Sequence, residues 1–143
     1  MKTNKFAIRI LGVTCAIVLT IFCINVLASD LTPEQTVNKY YNALKSQDYE
    51  QAYDCISKKM KNGRDRETWA KDWKDTVVVA KIEIVHFSVS ESKLDGDKAT
   101  VRVSVNAKDI FNKDGFTENE TDYMVIEDSV WKIDATEVDL PDL

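Results

Sequence analysis

Beyond its first 28 residues the chain contains one cysteine, Cys55, and the whole sequence contains one histidine, His86. A lone thiol leaves no intrachain disulfide in that part. One His with one Cys also falls short of the four-ligand set of a structural zinc site. No metal and no cofactor are therefore expected. The sequence lacks a nucleophile elbow, a phosphate-binding glycine loop, a metal-ligand motif, internal repeats and low-complexity tracts. Each absence removes a class of enzyme or scaffold, and none of them assigns a function.

Positive charge is also in short supply, with 19 Lys and Arg against 24 Asp and Glu for a net charge of −5. Three of those positive charges, Lys2, Lys5 and Arg9, precede an uncharged run, so the remainder carries −8. An acidic surface disfavours nucleic acid, whose phosphates demand clustered Lys and Arg. Lys58, Lys59, Lys61, Arg64 and Arg66 do lie close together, and they read as a solvated loop.

From Ile10 to Ala28 there are 19 residues without a charge. A basic start followed by such a run is an export segment, because positive flanks stay on the cytoplasmic side. Two fates fit residues 1–28. Val26-Leu27-Ala28 offers a cleavage site before Ser29, as in a signal peptide. The run also approaches the roughly 20 residues that span a bilayer, as in an N-terminal membrane anchor. Neither Cys15 nor Cys23 has the preceding residues needed for lipid attachment. Both fates put residues 30–143 outside the cytoplasm, secreted or held at the membrane through residues 10–28.

Thr32-Pro33-Glu34-Gln35 opens a helix: Thr caps, Pro suits the first turn, and Gln can close a capping box. Val37, Tyr40, Tyr41 and Leu44 follow at helical spacing. Ser46-Gln47 interrupts the stripe. Asp48 then restarts it with Gln51, and Tyr49, Ala52, Tyr53 and Ile56 repeat the pattern. Asp65 caps a third helix carrying Trp69 and Trp73 one turn apart, which gives way to strand at Thr76 or Val77. Residues 77–90 read as one long strand. Its apolar parity switches between Ile84 and Val85, which predicts a bulge.

Leu94-Asp95-Gly96-Asp97 signals a tight hairpin. The next strand alternates cleanly, with Ala99, Val101, Val103, Val105 and Ala107 inward. A further strand covers residues 117–127, and Asp128-Ser129 turns it into Val130–Asp134. The strand carboxylates Glu83, Glu118, Glu120 and Asp122 sit in polar patterns that read as solvated. Cys55, beside Ile56 on the apolar side, reads as a buried free thiol. The tail from Val138 to Leu143 reads as frayed. The fold class is α+β: three N-terminal helices packed on a curved four-stranded antiparallel meander.

The run PEQTVNKYYNALKSQDYEQAYDCIS, a Trp-bearing third helix and strands closing on DSVWKID resemble the nuclear transport factor 2-like (cystatin-like cone) superfamily. The resemblance covers about residues 32–137. It is nearest to small extracytoplasmic bacterial domains of unknown function, and the opening helices are similar to the N-terminal domain of methicillin-resistance-type penicillin-binding proteins. It implies a cone-shaped half-barrel with a pocket at its open end, where enzymes of the superfamily keep acid and base groups. The corresponding candidates here are Tyr40, Tyr41, Tyr53, Trp69, Trp73 and His86. The enzymes' Asp or His dyads do not map onto this chain residue by residue, so no catalytic residue is assigned.

The expectation is a non-catalytic, exported or membrane-tethered domain that binds a small ligand, a cell-envelope component or a protein partner. Two alternatives stand beside it. One is an isomerase- or dehydratase-type enzyme, which requires His86 or an acidic residue to face the pocket within hydrogen-bond reach of Tyr40, Tyr41 or Tyr53. The other is a component of a secretion or conjugation assembly.

Overall fold

The computed structural model describes residues 31–139. Residues 1–28, with their expected cleavage or anchoring, lie outside the described residues, as do the last four. Among the described residues no helix is long and apolar enough to cross a membrane.

Helix α1 spans Pro33–Lys45. Its capping box forms as the sequence predicts: the Gln35 amide donates to Thr32 Oγ1 at 3.3 Å and the Thr32 amide to Gln35 Oε1 at 2.9 Å. Helix α2 (Tyr49–Tyr53) is capped by Asp48, which accepts from the Gln51 amide at 3.1 Å. The corner between them turns on Gln47, at a positive φ of 60°.

The basic stretch is not a loop. Lys58–Lys61 form a short helix, α3, because Ser57 Oγ caps the Met60 amide at 3.2 Å and Asn62 ends the turn in the left-handed region. Helix α4 runs from Arg66 to Ala80, so Val77-Val78-Val79 belong to helix rather than strand. A valine run favours a half-buried pleated surface. Here Val78 and Val79 are 68% and 76% exposed while Val77 packs on the core, and Lys81 ends the helix at a left-handed φ of 53°. There are thus four helices, not three, among the described residues.

The sheet has five strands rather than four: β1 (Glu83–Val89), β2 (Lys93–Asp95), β3 (Lys98–Lys108), β4 (Phe116–Glu127) and β5 (Val130–Val138). All strand pairs are antiparallel, in the order β1-β3-β4-β5, and β2 shares the β1 edge of β3. The expected bulge is present: register shifts between Ile84 and His86, leaving Val85 as the extra residue. Gly96 begins the two-residue β2–β3 turn at a φ of 60°, a conformation glycine adopts without a Cβ penalty. Strand β5 outlasts its predicted end. Val138 pairs with Glu120 and the Asp139 amide donates to the Asn119 carbonyl at 2.7 Å, so these two residues of the tail are held.

Ala99, Val101, Val103, Val105 and Ala107 are all buried on one face of the sheet, in the same core as Val37, Tyr40 and Tyr41 of α1. A second tie joins the helices to β5. The Ile133 amide donates to the Cys55 carbonyl at 2.9 Å and the Ser57 amide to the Ile133 carbonyl at 2.8 Å, making a parallel bridge between Ile56 and Ile133. Both isoleucines are fully buried.

Candidate functional site

Strand β4 carries acidic side chains into the interior. On β4, Phe116, Glu118, Glu120, Asp122 and Met124 share the face that looks toward α1, since Glu120 pairs with inward Val103 and Asp122 with inward Val101. Asp122 is 0% exposed, and Glu118 and Glu120 are half-buried. Their expected solvation is therefore corrected; of the four strand carboxylates only Glu83 is exposed. A strand's side chains alternate strictly, so a residue sharing parity with buried Met124 must point inward, charged or not.

Helix α1 meets this stripe with Tyr41, whose hydroxyl donates to Glu120 Oε2 at 2.6 Å. Strand β5 meets it with Thr136, whose hydroxyl donates to Asp122 Oδ1 at 2.5 Å. The other oxygen of Asp122 is buried without a hydrogen-bond partner among the described residues. Burial is the largest influence on Asp122 and pushes its carboxyl up to about 7; the Thr136 bond pulls down and the neighbouring Glu120 pushes up. Glu120 is raised for the same first reason, opposed by the Tyr41 bond. Burial, with Asp122 and Glu120 close by, also raises Tyr40 and Tyr41, so both are neutral phenols at neutral pH. Tyr41 is thus a fixed donor to a carboxylate, and Asp122 holds its proton far above the usual carboxylate range.

The six residues expected to form a pocket separate into three places. Tyr40 and Tyr41 pack edge to face at 5.3 Å, and Tyr41 lies 5.6 Å from Phe87 of β1. Tyr53, Trp69 and Trp73 form a chain between α2 and α4, with ring centroids 5.9 and 5.7 Å apart. In that group the Tyr53 hydroxyl donates to the Arg64 carbonyl at 2.8 Å, and Lys61 stands over its ring at 4.4 Å. His86 is exposed and sits opposite Asn106, on the outer face of the sheet. Of these six, only Tyr41 donates its hydroxyl to an acidic side chain. Glu120, Asp122 and Thr136 complete that cluster, and the parity of β4 with Met124 is the sequence signal that finds the two acids.

Five of the depressions among the described residues are lined without Tyr41, Glu120 or Asp122. Nor do any three His, Cys, Asp or Glu side chains among the described residues come together as metal ligands do.

No family model matches the sequence, and no curated protein matches it. Solved structures do. A SEC-C motif-containing protein from Rhodopseudomonas palustris aligns with a TM-score of 0.60 at 14% identity, over 75% of this chain and 78% of that one. A protein with a ketosteroid isomerase-like fold from Catenulispora acidiphila, in complex with trimethylamine, aligns at 0.54 and 14% identity, over 76% and 87%. A nuclear transport factor 2-like protein of unknown function from Shewanella oneidensis aligns at 0.54 and 16%, over 73% and 93%. Identities this low speak to architecture alone. On that evidence of shape, together with the antiparallel sheet wrapped on α1, the chain has the nuclear transport factor 2-like fold.

Proposed function

We propose that residues 30–143 form a non-catalytic binding domain that works outside the cytoplasm, secreted or tethered by residues 10–28. Its partner is a small ligand, a cell-envelope component or another protein of the envelope. One observation carries this reading: Asp122, the most perturbed carboxyl among the described residues, is fully enclosed and bonded by Thr136. A general acid or base must come within hydrogen-bond reach of its substrate. The Catenulispora protein of the same fold, found in complex with trimethylamine, supports small-molecule binding by this architecture.

A second reading has its own observation. The Tyr41–Glu120 hydrogen bond of 2.6 Å supplies the acid within reach of a tyrosine that an enzyme of the isomerase or dehydratase type needs, and Glu120 is only half-buried; that reading also needs the pair to face a pocket. The two readings separate in a ligand screen by thermal shift and NMR on the wild type and on Glu120→Gln and Asp122→Asn. The binding-domain reading expects compounds that bind all three proteins alike and leave unchanged. Conversion of a bound compound by the wild type, abolished in either variant, would overturn it.

A further inference from the structure

The loop between β3 and β4 meets the end of α4, where the Ile110 amide donates to the Ala80 carbonyl at 2.9 Å. Two apolar pairs come to this tip: Val78 and Val79 from the last turn of the helix, and Ile110 and Phe111 from the loop. All four are exposed, Phe111 to 86%. One exposed apolar residue is ordinary, whereas several gathered at one place mark a contact site.

The loop is built to hold Phe111 out. Asp109 Oδ1 accepts from the Phe111 amide and from the Asn112 amide, each at 2.7 Å. The Asn112 side chain donates to both Asp109 oxygens at 3.1 Å, and the Gly115 amide closes the turn on the Asn112 carbonyl at 3.1 Å. The amides of Ile110, Phe111 and Asn112 are therefore all satisfied within the protein. Unpaired backbone donors are what make a segment costly to remove from water, so this tip can enter an apolar phase at little polar cost.

Size and charge narrow what the tip enters. A stable protein interface takes about 20–30 residues a side, far more than four side chains supply. A bilayer surface needs only a small apolar wedge, and binding there gains from attraction to anionic lipid. Lys81 follows the helix directly and Lys113 lies two residues after Phe111; both are exposed, and neither forms an ion pair among the described residues. The acids nearby are largely engaged: Asp109 is half-buried in the turn, and Glu83 is matched across the strands by Lys108. Asp114 alone is left against two lysines, so the tip is locally positive on a chain of net charge −5. Lysine stems can lie along an apolar surface while their ammonium groups reach phosphates.

We propose that this tip inserts into the surface of an anionic bilayer, with Ile110 and Phe111 below the headgroups and Lys81 and Lys113 at the lipid phosphates. The proposal rests on the reading that the domain works at the cell envelope, and it names a lipid surface as the partner.

The test is NMR of the full-length protein with bicelles of phosphatidylglycerol or of phosphatidylcholine, each doped with lipid spin-labelled on its acyl chain. The amide signals of Val78, Val79, Ile110 and Phe111 should be lost selectively with phosphatidylglycerol and much less with phosphatidylcholine. Ile110→Ser with Phe111→Ser should retain the Val78 and Val79 signals; both replaced side chains are exposed, and unchanged signals elsewhere verify the fold. Lys81→Gln with Lys113→Gln should narrow the difference between the two lipids. Intact tip signals with phosphatidylglycerol, an equal effect of both lipids, or undiminished loss in the double-serine variant would each overturn the proposal. Tip signals that shift with protein concentration in lipid-free solution, and are spared by the spin label, would assign the patch to a second copy of the chain and overturn it too. Loss confined to residues 32–35 would overturn the tip while leaving the tethered reading standing. A chain found in the cytoplasm on cell fractionation, with tip signals that still respond to lipid, would overturn the envelope reading instead.

Discussion

Asp122 of β4 and Thr136 of β5 are paired across the strands, and the Thr136 hydroxyl donates to Asp122 Oδ1 at 2.5 Å while Oδ2 has no partner among the described residues. The carboxyl stands at about 7 in the folded chain against an ordinary 3.8. Between those values the folded chain keeps a proton that the unfolded chain has released, so this group's contribution to stability falls as pH rises from about 4 to about 7. Asp122→Asn keeps the shape and the acceptor for Thr136 but cannot ionise. Urea unfolding should find the variant more stable than the wild type near pH 8, by at most about 4 kcal/mol. The two should come within about 1 kcal/mol of each other near pH 4. Parallel pH profiles for the two proteins would mean that Asp122 ionises freely.

Glu34 acts in the opposite direction. Its carboxylate accepts from the Ser92 amide at 2.7 Å, tying the first turn of α1 to the loop between β1 and β2, and the Ser92 bonds hold its pKa down at about 2 against 4.5. The folded pKa is depressed, so its contribution is present above about 4.5 and is lost as pH falls through about 2. Glu34→Gln should flatten the acid limb of the stability curve and leave the limb above pH 5 or so unchanged. Hydrogen exchange should place the local opening at Ser92. An unaltered acid limb in the variant would show that the loop is held by other contacts.

Much of this architecture is legible in the residues because local chemistry and tertiary packing agree there. Thr32 with Gln35, Asp48 with Gln51 and Asp65 before Trp69 each cap a helix that forms. The alternation from Ala99 to Ala107 is apolar on one face without exception, so the register of β3 follows from it. The parity switch at Ile84-Val85 becomes a bulge for the same reason. Where propensity and context conflict, the sequence misleads. Val77–Ala80 is a β-favouring tetrapeptide that stays helical because α4 continues over the core through Val77. The acid cluster is hidden more deeply. Tyr41 is readable as an inward ring on α1, but polar residues are normally outward, so Glu120 and Asp122 are found only by counting back from Met124. Six aromatic or imidazole residues share helical or strand spacing without sharing a cavity, because spacing fixes a face and not a neighbour.

The β4–β5 hairpin offers a test of backbone strain. Asp128 and Ser129 both have positive φ, 52° and 66°. This pair of left-handed residues is the type I′ turn that matches strand twist, and it favours Asn-Gly. A non-glycine residue in that region carries a cost of roughly 1–2 kcal/mol. Both side chains are exposed, so a replacement loses no packing, although Asp128 gives up its weak surface pair with Lys58. Ser129→Gly should stabilise the domain by about 0.5–1 kcal/mol, and Asp128→Asn with Ser129→Gly by somewhat more. A rise in the urea midpoint at constant m-value is the expected reading; a fall would mean that the turn relaxes out of this conformation in solution.

Cys55 lies where the helices are fastened to β5, 2% exposed, with its carbonyl bonded to the Ile133 amide at 2.9 Å. Burial is the first influence on its thiol and raises the pKa, against the pull of Lys39 and Lys132. Only the thiolate attacks, and only where a reagent can reach it, so both factors protect the native thiol. A maleimide or disulfide reagent should modify Cys55 at least about 100-fold more slowly in native buffer than in denaturant, with peptide mapping to separate it from Cys15 and Cys23. The thiol is also fastened to the structure it reports on. Ile56→Ala, which empties the fully buried partner of Ile133, should cost about 2–5 kcal/mol and speed native-state labelling of Cys55 in step with that loss. Rapid labelling of the folded wild type would instead mean that the bridge between Ile56 and Ile133 opens locally, and that α2, α3 and β5 are not one cooperative unit.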